Sequence, residues 1–185
     1  MSEDRLLVSR VLKGEARAFR ELVETHQRLV GAMVGRLVPD TAEREDLCQE
    51  IFMQVYDGLR RFDFRSRLST WIARIAYLRA VNYVKRHRQG HELPLPEKLS
   101  ELSVLEDDPE QALLQKELSA YIGLLIGRLP LPYQTAINLY YLQEFSLAEI
   151  SQITGLREGT LKSHLSRACA LLKEKIRKYL KNDSP

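Results

Sequence analysis

The stretch Ser146 to Arg167, SLAEISQITGLREGTLKSHLSR, most narrows what this chain can become. Ser146 and Glu149 have the S-x-x-E spacing of a capping box, which satisfies two orphaned N–H groups where a helix begins. Leu147 and Ile150 turn one face of that helix inward, and Gly155 stands where a left-handed residue is wanted to end it. Leu161, Leu165 and Ala168 then recur at i, i+4 and i+7, the apolar stripe of a second helix. Opposite that stripe lie Ser163, Ser166 and Arg167, with Thr160 and Lys162 at its edges. A sharp turn followed by a helix with a small, polar and basic outer face is what a DNA major groove accepts.

The rest of the chain is read by the same periodicity, and no strand pattern interrupts it. Asp4 to Lys13 predicts a short helix stopped at Gly14. Glu15 to Val38 predicts a long one, with Phe19, Leu22, Val23, His26, Val30, Met33, Val34 and Leu37 inward; Pro39 ends it. Asp40 or Thr41 can cap a third helix reaching Leu59. Its core side is Leu47, Cys48, Ile51, Phe52, Val55 and Leu59, and its other side Asp46, Gln49, Glu50, Met53 and Asp57. That outer side reads either as a solvated face or, because a methionine sits among carboxylates, as a protein docking surface.

Arg60 to Ser69, RRFDFRSRLS, is predicted as a loop, with Ser66 or Ser69 capping a fourth helix that runs to about Arg88. Apolar residues surround most of that helix, so it is expected to pack on more than one side. Its basic end, Lys85 to Arg88, suits the helix dipole. Arginines interleaved with Phe62, Phe64 and Trp71 also suit unstacked bases and single-stranded backbone. Gln89 to Asp108 loses periodicity and carries Gly90, Pro94, Pro96 and an acidic end, the marks of a linker. Asp108 and Pro109 open a helix expected to run to about Arg128, with Leu113, Leu114, Leu118, Tyr121, Ile122 and Leu125 inward. Tyr133 to Gln143 is another, and the last is expected from near Arg157 to about Leu180. The fold class is therefore all-α: two small helical domains, 1–88 and 109–185, joined by a flexible acidic linker, 89–108, the second domain being a helix-turn-helix.

Net charge is only +3, but its distribution is uneven. Arg60 to Arg88 carries nine basic residues against one acidic, and Arg157 to Lys181 eight against two, whereas Glu92 to Glu117 has two against eight. Two basic blocks separated by an acidic one point to two polyanion-binding surfaces. No apolar run is long enough for a membrane span, and the N-terminus lacks the pattern of a signal peptide. Cys48 and Cys169 have no metal-ligand spacing and read as buried residues of a reducing cytoplasm. Phosphate-binding glycine loops and HExxH are absent, and His26, His87, His91 and His164 are scattered. No catalytic constellation, cofactor or metal site is expected.

Four segments together resemble a known family. GEARAFRELVETHQRLV is similar to its opening helices, and EREDLCQEIFMQVY to its D/E-D-L-x-Q-E-x-F segment. STWIARIA resembles S-T-W-L-x-R-I-A, and EISQITGLREGTLKSHLSRACALL resembles the closing E-I-A-x-x-L-G-x-x-x-G-T-V-K-S-R-x-x-R-A-R segment. In this order, from about Leu7 to Leu180, they resemble the bacterial extracytoplasmic-function sigma factors, the smallest of the sigma-70 class. The resemblance implies that Asp46, Gln49, Glu50, Phe52 and Met53 dock on the coiled coil of the polymerase β′ clamp. It implies that Arg65, Arg67, Ser69, Thr70, Trp71, Arg74, Leu78, Asn82, Lys85, Arg86 and Arg88 bind the start-proximal (−10) promoter element, where a base is flipped out and the duplex opens. Arg157, Glu158, Thr160, Lys162, Ser163, His164, Ser166 and Arg167 would serve the start-distal (−35) element, with the other side of that domain on the β flap. The linker would thread the RNA channel, and core RNA polymerase, promoter DNA and an anti-sigma factor would be the partners.

The chain departs from the family pattern at Leu78, where asparagine is usual, and at His164 and Cys169, where arginines are usual. Two other functions fit parts of the chain: a helix-turn-helix regulator that does not engage polymerase, and a sigma mimic that sequesters an anti-sigma factor without binding DNA. The acidic face of the third helix argues against the first, and the retained Arg74, Lys85, Arg86, Arg88, Lys162 and Arg167 against the second.

Overall fold

The computed structural model describes residues 3–35, 37–38, 40–87 and 119–182. Among them there are helices and turns and no strand. Helix α1 is Glu3–Leu12, α2 Ala16–Val34, α3 Thr41–Gly58 and α4 Leu68–His87. Residues 119–127 form α5, followed by α6 (Leu131–Ile137), α7 (Leu147–Thr154) and α8 (Glu158–Asn182). The linker, Arg88, the expected cap at Asp108 and Pro109, and the inward positions Leu113, Leu114 and Leu118 lie outside the described residues.

Local chemistry sets most boundaries. Gly14 takes φ +84°, so α1 can turn directly into α2. Helix α2 stops at Val34, earlier than the expected Val38, although Leu37 and Val38 are still buried. Their N–H groups fold back onto the Val34 carbonyl at 2.9 and 3.0 Å, so the apolar pattern continues after the regular helix has ended. Asp40 caps α3 by accepting the Glu43 N–H at 2.9 Å.

Helix α4 begins at Leu68, so neither Ser66 nor Ser69 is its cap. The Leu68 N–H is taken instead by the Asp4 carboxylate of α1, 64 positions away in sequence, at 3.3 Å. Pro130 and Pro132 do not merely interrupt the chain: they form the cap and opening turn of α6. After Ile137 the helix widens into a π turn, Asn138–Leu142, closed by Gln143 N–H on the Asn138 carbonyl at 3.0 Å. The capping box of α7 forms in both directions, with Ser146 N–H on Glu149 Oε2 at 3.0 Å and Glu149 N–H on Ser146 Oγ at 3.3 Å. Gly155 closes the helix with φ +78°.

Helix α4 is the centre of the arrangement. It packs against α2, α3 and α7, which is why its sequence is apolar on more than one side. Leu68, Ile72, Ala76, Ala80 and Val84 form one buried i+4 row, and the alanines in it let neighbouring helices approach closely. The N-terminal and C-terminal halves share one apolar cluster: Leu139, Phe145, Ile150, Ile153 and Leu161 join the core built by α1 to α4. A smaller cluster, including Ile126, Leu129, Ala136 and Leu165, belongs to the C-terminal half alone. Polar contacts cross between the halves as well; Asn138 Nδ2 donates to the Ala32 carbonyl at 3.3 Å.

Candidate nucleic-acid and polymerase interface

The outer face of α3 is as expected, with one correction. Asp46, Gln49, Glu50 and Asp57 are exposed, and Met53 is 60% exposed between them. Phe52, assigned to docking by resemblance, is only 9% exposed and belongs to the core. It lies on the Ile51–Val55 side of the helix, where burial of an aromatic ring outweighs any surface role. The acidic row is tied to the basic helix beside it. Arg79 of α4 pairs with Glu50, and Tyr83 of α4 donates to the Glu43 carboxylate. Burial and that carboxylate push the Tyr83 phenol up to about 12. The sequence reading singled out neither Arg79 nor Tyr83, because nothing local indicates which α4 side chains turn toward α3.

The start of α4 and the loop before it bring exposed arginines beside an aromatic stack in which Phe62 is buried and Phe64 and Trp71 are half-buried. Phe64, Phe62 and Trp71 stack in series, with ring centroids 4.6 and 5.0 Å apart. Gly58 lies directly under the indole; a Cβ there would come within 3.0 Å of the ring. Arg65 and Arg67 are exposed on the loop, and Arg74, Leu78 and Asn82 follow as an exposed i+4 row, continued by Lys85 and Arg86. Leu78 therefore occupies a surface position in that row. Ser69 is half-buried. Thr70 is a correction, being 1% exposed with its hydroxyl turned toward the C-terminal half rather than to solvent. Arg88 lies outside the described residues.

What covers Thr70 is α7. Its Glu149 carboxylate accepts from Thr70 Oγ1 at 3.1 Å and from Arg67 Nε at 2.7 Å, and Arg74 donates to the Gln152 carbonyl. Glu149 thus does two jobs at once, closing the capping box of its own helix and holding the start of α4. Its carboxyl sits below the ordinary carboxylate range. Burial alone would raise it, but hydrogen bonds from the Ser146 hydroxyl and N–H, Thr70 and Arg67 outweigh that. The capping spacing marked Glu149 in the sequence; its second role links residues 79 and 82 positions apart, which no local pattern reveals.

The outer face of α8 is open. Arg157 precedes the helix with its carbonyl accepting from Thr160 and Leu161, and Arg157, Glu158, Thr160, Lys162, Ser163, Ser166 and Arg167 are exposed. Leu161, Leu165 and Ala168 are buried beneath them. His164 departs from its expected place on this face. Its ring is half-buried, edge-on to Tyr133 at 5.3 Å, and its Nδ1 is buried without a hydrogen-bond partner among the described residues. Cys169 is also half-buried, near the Tyr141 hydroxyl at 3.7 Å.

Among the described residues no group of His, Cys, Asp and Glu could hold a metal ion, and no helix is long and apolar enough to cross a membrane. Residues 22–90 match the family described as Sigma-70 region 2, and residues 119–172 match Sigma-70, region 4. The chain is 30% identical to the ECF RNA polymerase sigma factor SigW of Bacillus subtilis, over 92% of this chain and 95% of the relative. It is 32% identical to the ECF RNA polymerase sigma-E factor of Escherichia coli K12, over 96% of both. Two solved structures share the fold. One, of CnrH in complex with the cytosolic domain of CnrY, has TM-score 0.67 at 21% identity and covers 99% of this chain and 100% of that one. The other, of the sigma factor RpoE with the anti-sigma factor NepR from Bartonella quintana, has TM-score 0.69 at 18% identity and covers 88% and 98%.

Proposed function

Because this chain belongs to the ECF RNA polymerase sigma factors, which direct the polymerase to promoters, we propose that its three exposed faces divide that work among themselves. The α3 row of Asp46, Gln49, Glu50 and Met53 docks on the β′ clamp of core polymerase. The loop and α4 row, from Arg65 and Arg67 through Trp71 and Arg74 to Arg86, take the start-proximal element as it opens. The α8 face, with Lys162, Ser163, Ser166 and Arg167, reads the start-distal element in the major groove, and the other side of the C-terminal half meets the β flap. The units in this reading are residues 1–88 and 109–185, with 89–108 as linker.

One observation supports the reading: Thr160, Lys162, Ser163, Ser166 and Arg167 of α8 are exposed while Leu161, Leu165 and Ala168 are buried, which suits a helix that enters a groove with its polar and basic side. The chain acts without catalytic residues of its own, in the cytoplasm, on an enzyme that supplies the chemistry. An anti-sigma factor is its regulatory partner in this reading, as NepR is for RpoE in the complex from Bartonella quintana.

A physical condition follows from the packing of the two halves. Thr70 Oγ1 cannot donate to Glu149 and to a DNA phosphate at the same time, so a phosphate contact from Thr70 requires α7 to leave the start of α4, whereas the Arg67 guanidinium has further donors to offer. The test is transcription in vitro by core polymerase plus this chain over a random promoter library. Two enriched elements at fixed spacing are expected. Absence of chain-dependent transcripts, with core shown active by a housekeeping sigma factor, refutes the reading.

A further inference from the structure

The loop at residues 62–67 is held in a shape its own sequence does not favour. Phe64 has φ +58°, a left-handed conformation that a bulky residue adopts only when its surroundings hold it there. Part of the hold is local: Asp63 accepts the Arg65 N–H at 3.2 Å, and Phe64 leans on Phe62. The remainder comes from two consecutive residues of α1. The Arg5 guanidinium lies over the Phe64 ring, 4.8 Å from its centroid. Asp4 accepts the Leu68 N–H, the first of α4, and places a negative charge at the positive end of that helix. One turn of α1 thus grips the loop at its middle and at its exit.

Helix α1 is itself well anchored. Val8 and Val11 are buried in the core, and Arg10 pairs with Glu15 and Glu21 at 3.0 Å each. It also precedes residue 22, where the match to Sigma-70 region 2 begins. We propose that Asp4 and Arg5 are positioning residues for promoter opening: they pre-shape the loop so that Arg65, Arg67 and the half-buried Trp71, backed by the buried Phe62, present one fixed surface to an unstacked base. This rests on the proposed role of the loop and α4 in taking the start-proximal element. An aromatic stack offered in a single geometry spares the ordering that a mobile loop would undergo on capture.

The test uses the full chain, reconstituted with core polymerase, on a promoter that the wild-type chain selects from the random library. Trp71 is the only tryptophan of this chain, so in the free chain its emission and acrylamide quenching report the stack directly. Arg5→Ala is expected to increase quenching and to slow promoter opening, followed by 2-aminopurine fluorescence, by about two- to fivefold, the range of an exposed cation–π contact. Asp4→Ala is expected to slow opening by about fivefold, as for loss of a helix cap. Affinity for core, for start-distal duplex and for the closed complex should stay at wild-type values, and Arg5→Lys should restore most of the opening rate.

Unchanged quenching in Arg5→Ala overturns the contact. Increased quenching with an unchanged opening rate overturns the positioning role, as does a fall in opening matched by an equal fall in core affinity. If the wild-type chain itself opens no promoter, the underlying reading of the loop fails, and that result is separate because it precedes any variant.

Discussion

Removing the Glu149 carboxylate should loosen the seam between the two halves more than the exposed ion pair alone would suggest. Glu149 is 19% exposed and Arg67 64% exposed, so solvent screens the pair, and their coupling is worth about 0.5 kcal/mol. Thr70 is different. It is 1% exposed, and without Glu149 its hydroxyl keeps no acceptor, a loss of about 1–2 kcal/mol. Loss of half the capping box adds about 1 kcal/mol, but that part belongs to α7 alone. Glu149→Ala is therefore expected to destabilise the chain by about 3 kcal/mol, the larger part of the seam's share coming from Thr70. Urea unfolding in double-mutant cycles separates the contributions: coupling of about 1 kcal/mol for Thr70→Val with Glu149→Ala and, second, about 0.5 for Arg67→Ala with Glu149→Ala. Zero coupling in both cycles would refute the α4–α7 contact. The pH dependence has a definite sign. A carboxyl held below its ordinary 4.5 stabilises the fold above that value, and the contribution is lost as pH falls through the lowered one. The Glu149 couplings should be constant from neutrality down to about pH 5 and vanish in stronger acid.

Three further outcomes can be checked with the same protein. Asp46→Lys with Glu50→Lys should abolish co-purification with core polymerase while lowering stability by about 1 kcal/mol, since the Glu50–Arg79 pair is partly exposed and screened; equal recovery of core would remove α3 as the docking face. Lys162→Ala and Arg167→Ala should each weaken binding of the start-distal duplex, by about 1–3 kcal/mol where the lost contact is to a base edge, read by anisotropy at fixed salt. His164→Ala should instead lower thermal stability, by about 0.5–1.5 kcal/mol for the lost packing on Tyr133, and leave base preference intact; an altered preference in a selection experiment would return His164 to the groove face.

Much of the molecule was legible from local pattern. The capping box at Ser146 and Glu149, the left-handed Gly155 and the Leu161–Leu165–Ala168 stripe all form as their spacing requires, because each depends on residues within two helical turns. The same holds for the exposed acid and methionine row of α3, where a 3.6-residue period separates the two sides of one helix. The same period also puts Phe52 on the core side, where it is buried, although the family resemblance assigns it to docking. Local pattern offers Ser66 and Ser69 as caps for α4, whereas the Leu68 N–H is taken by Asp4 of α1, since an N–H is satisfied by whichever acceptor the fold brings near.

The sequence by itself determined the helices, their inward faces and the three polar surfaces, since those follow from periodicity, capping and charge along a continuous segment. Only the tertiary structure decided how those surfaces are combined. It set α7 against the start of α4, gave Glu149 a second pair of donors, buried Thr70 and turned His164 onto Tyr133. The reason is physical. A side chain's partners across the fold depend on helix packing summed over many apolar contacts, and no window of the sequence contains both members of such a pair.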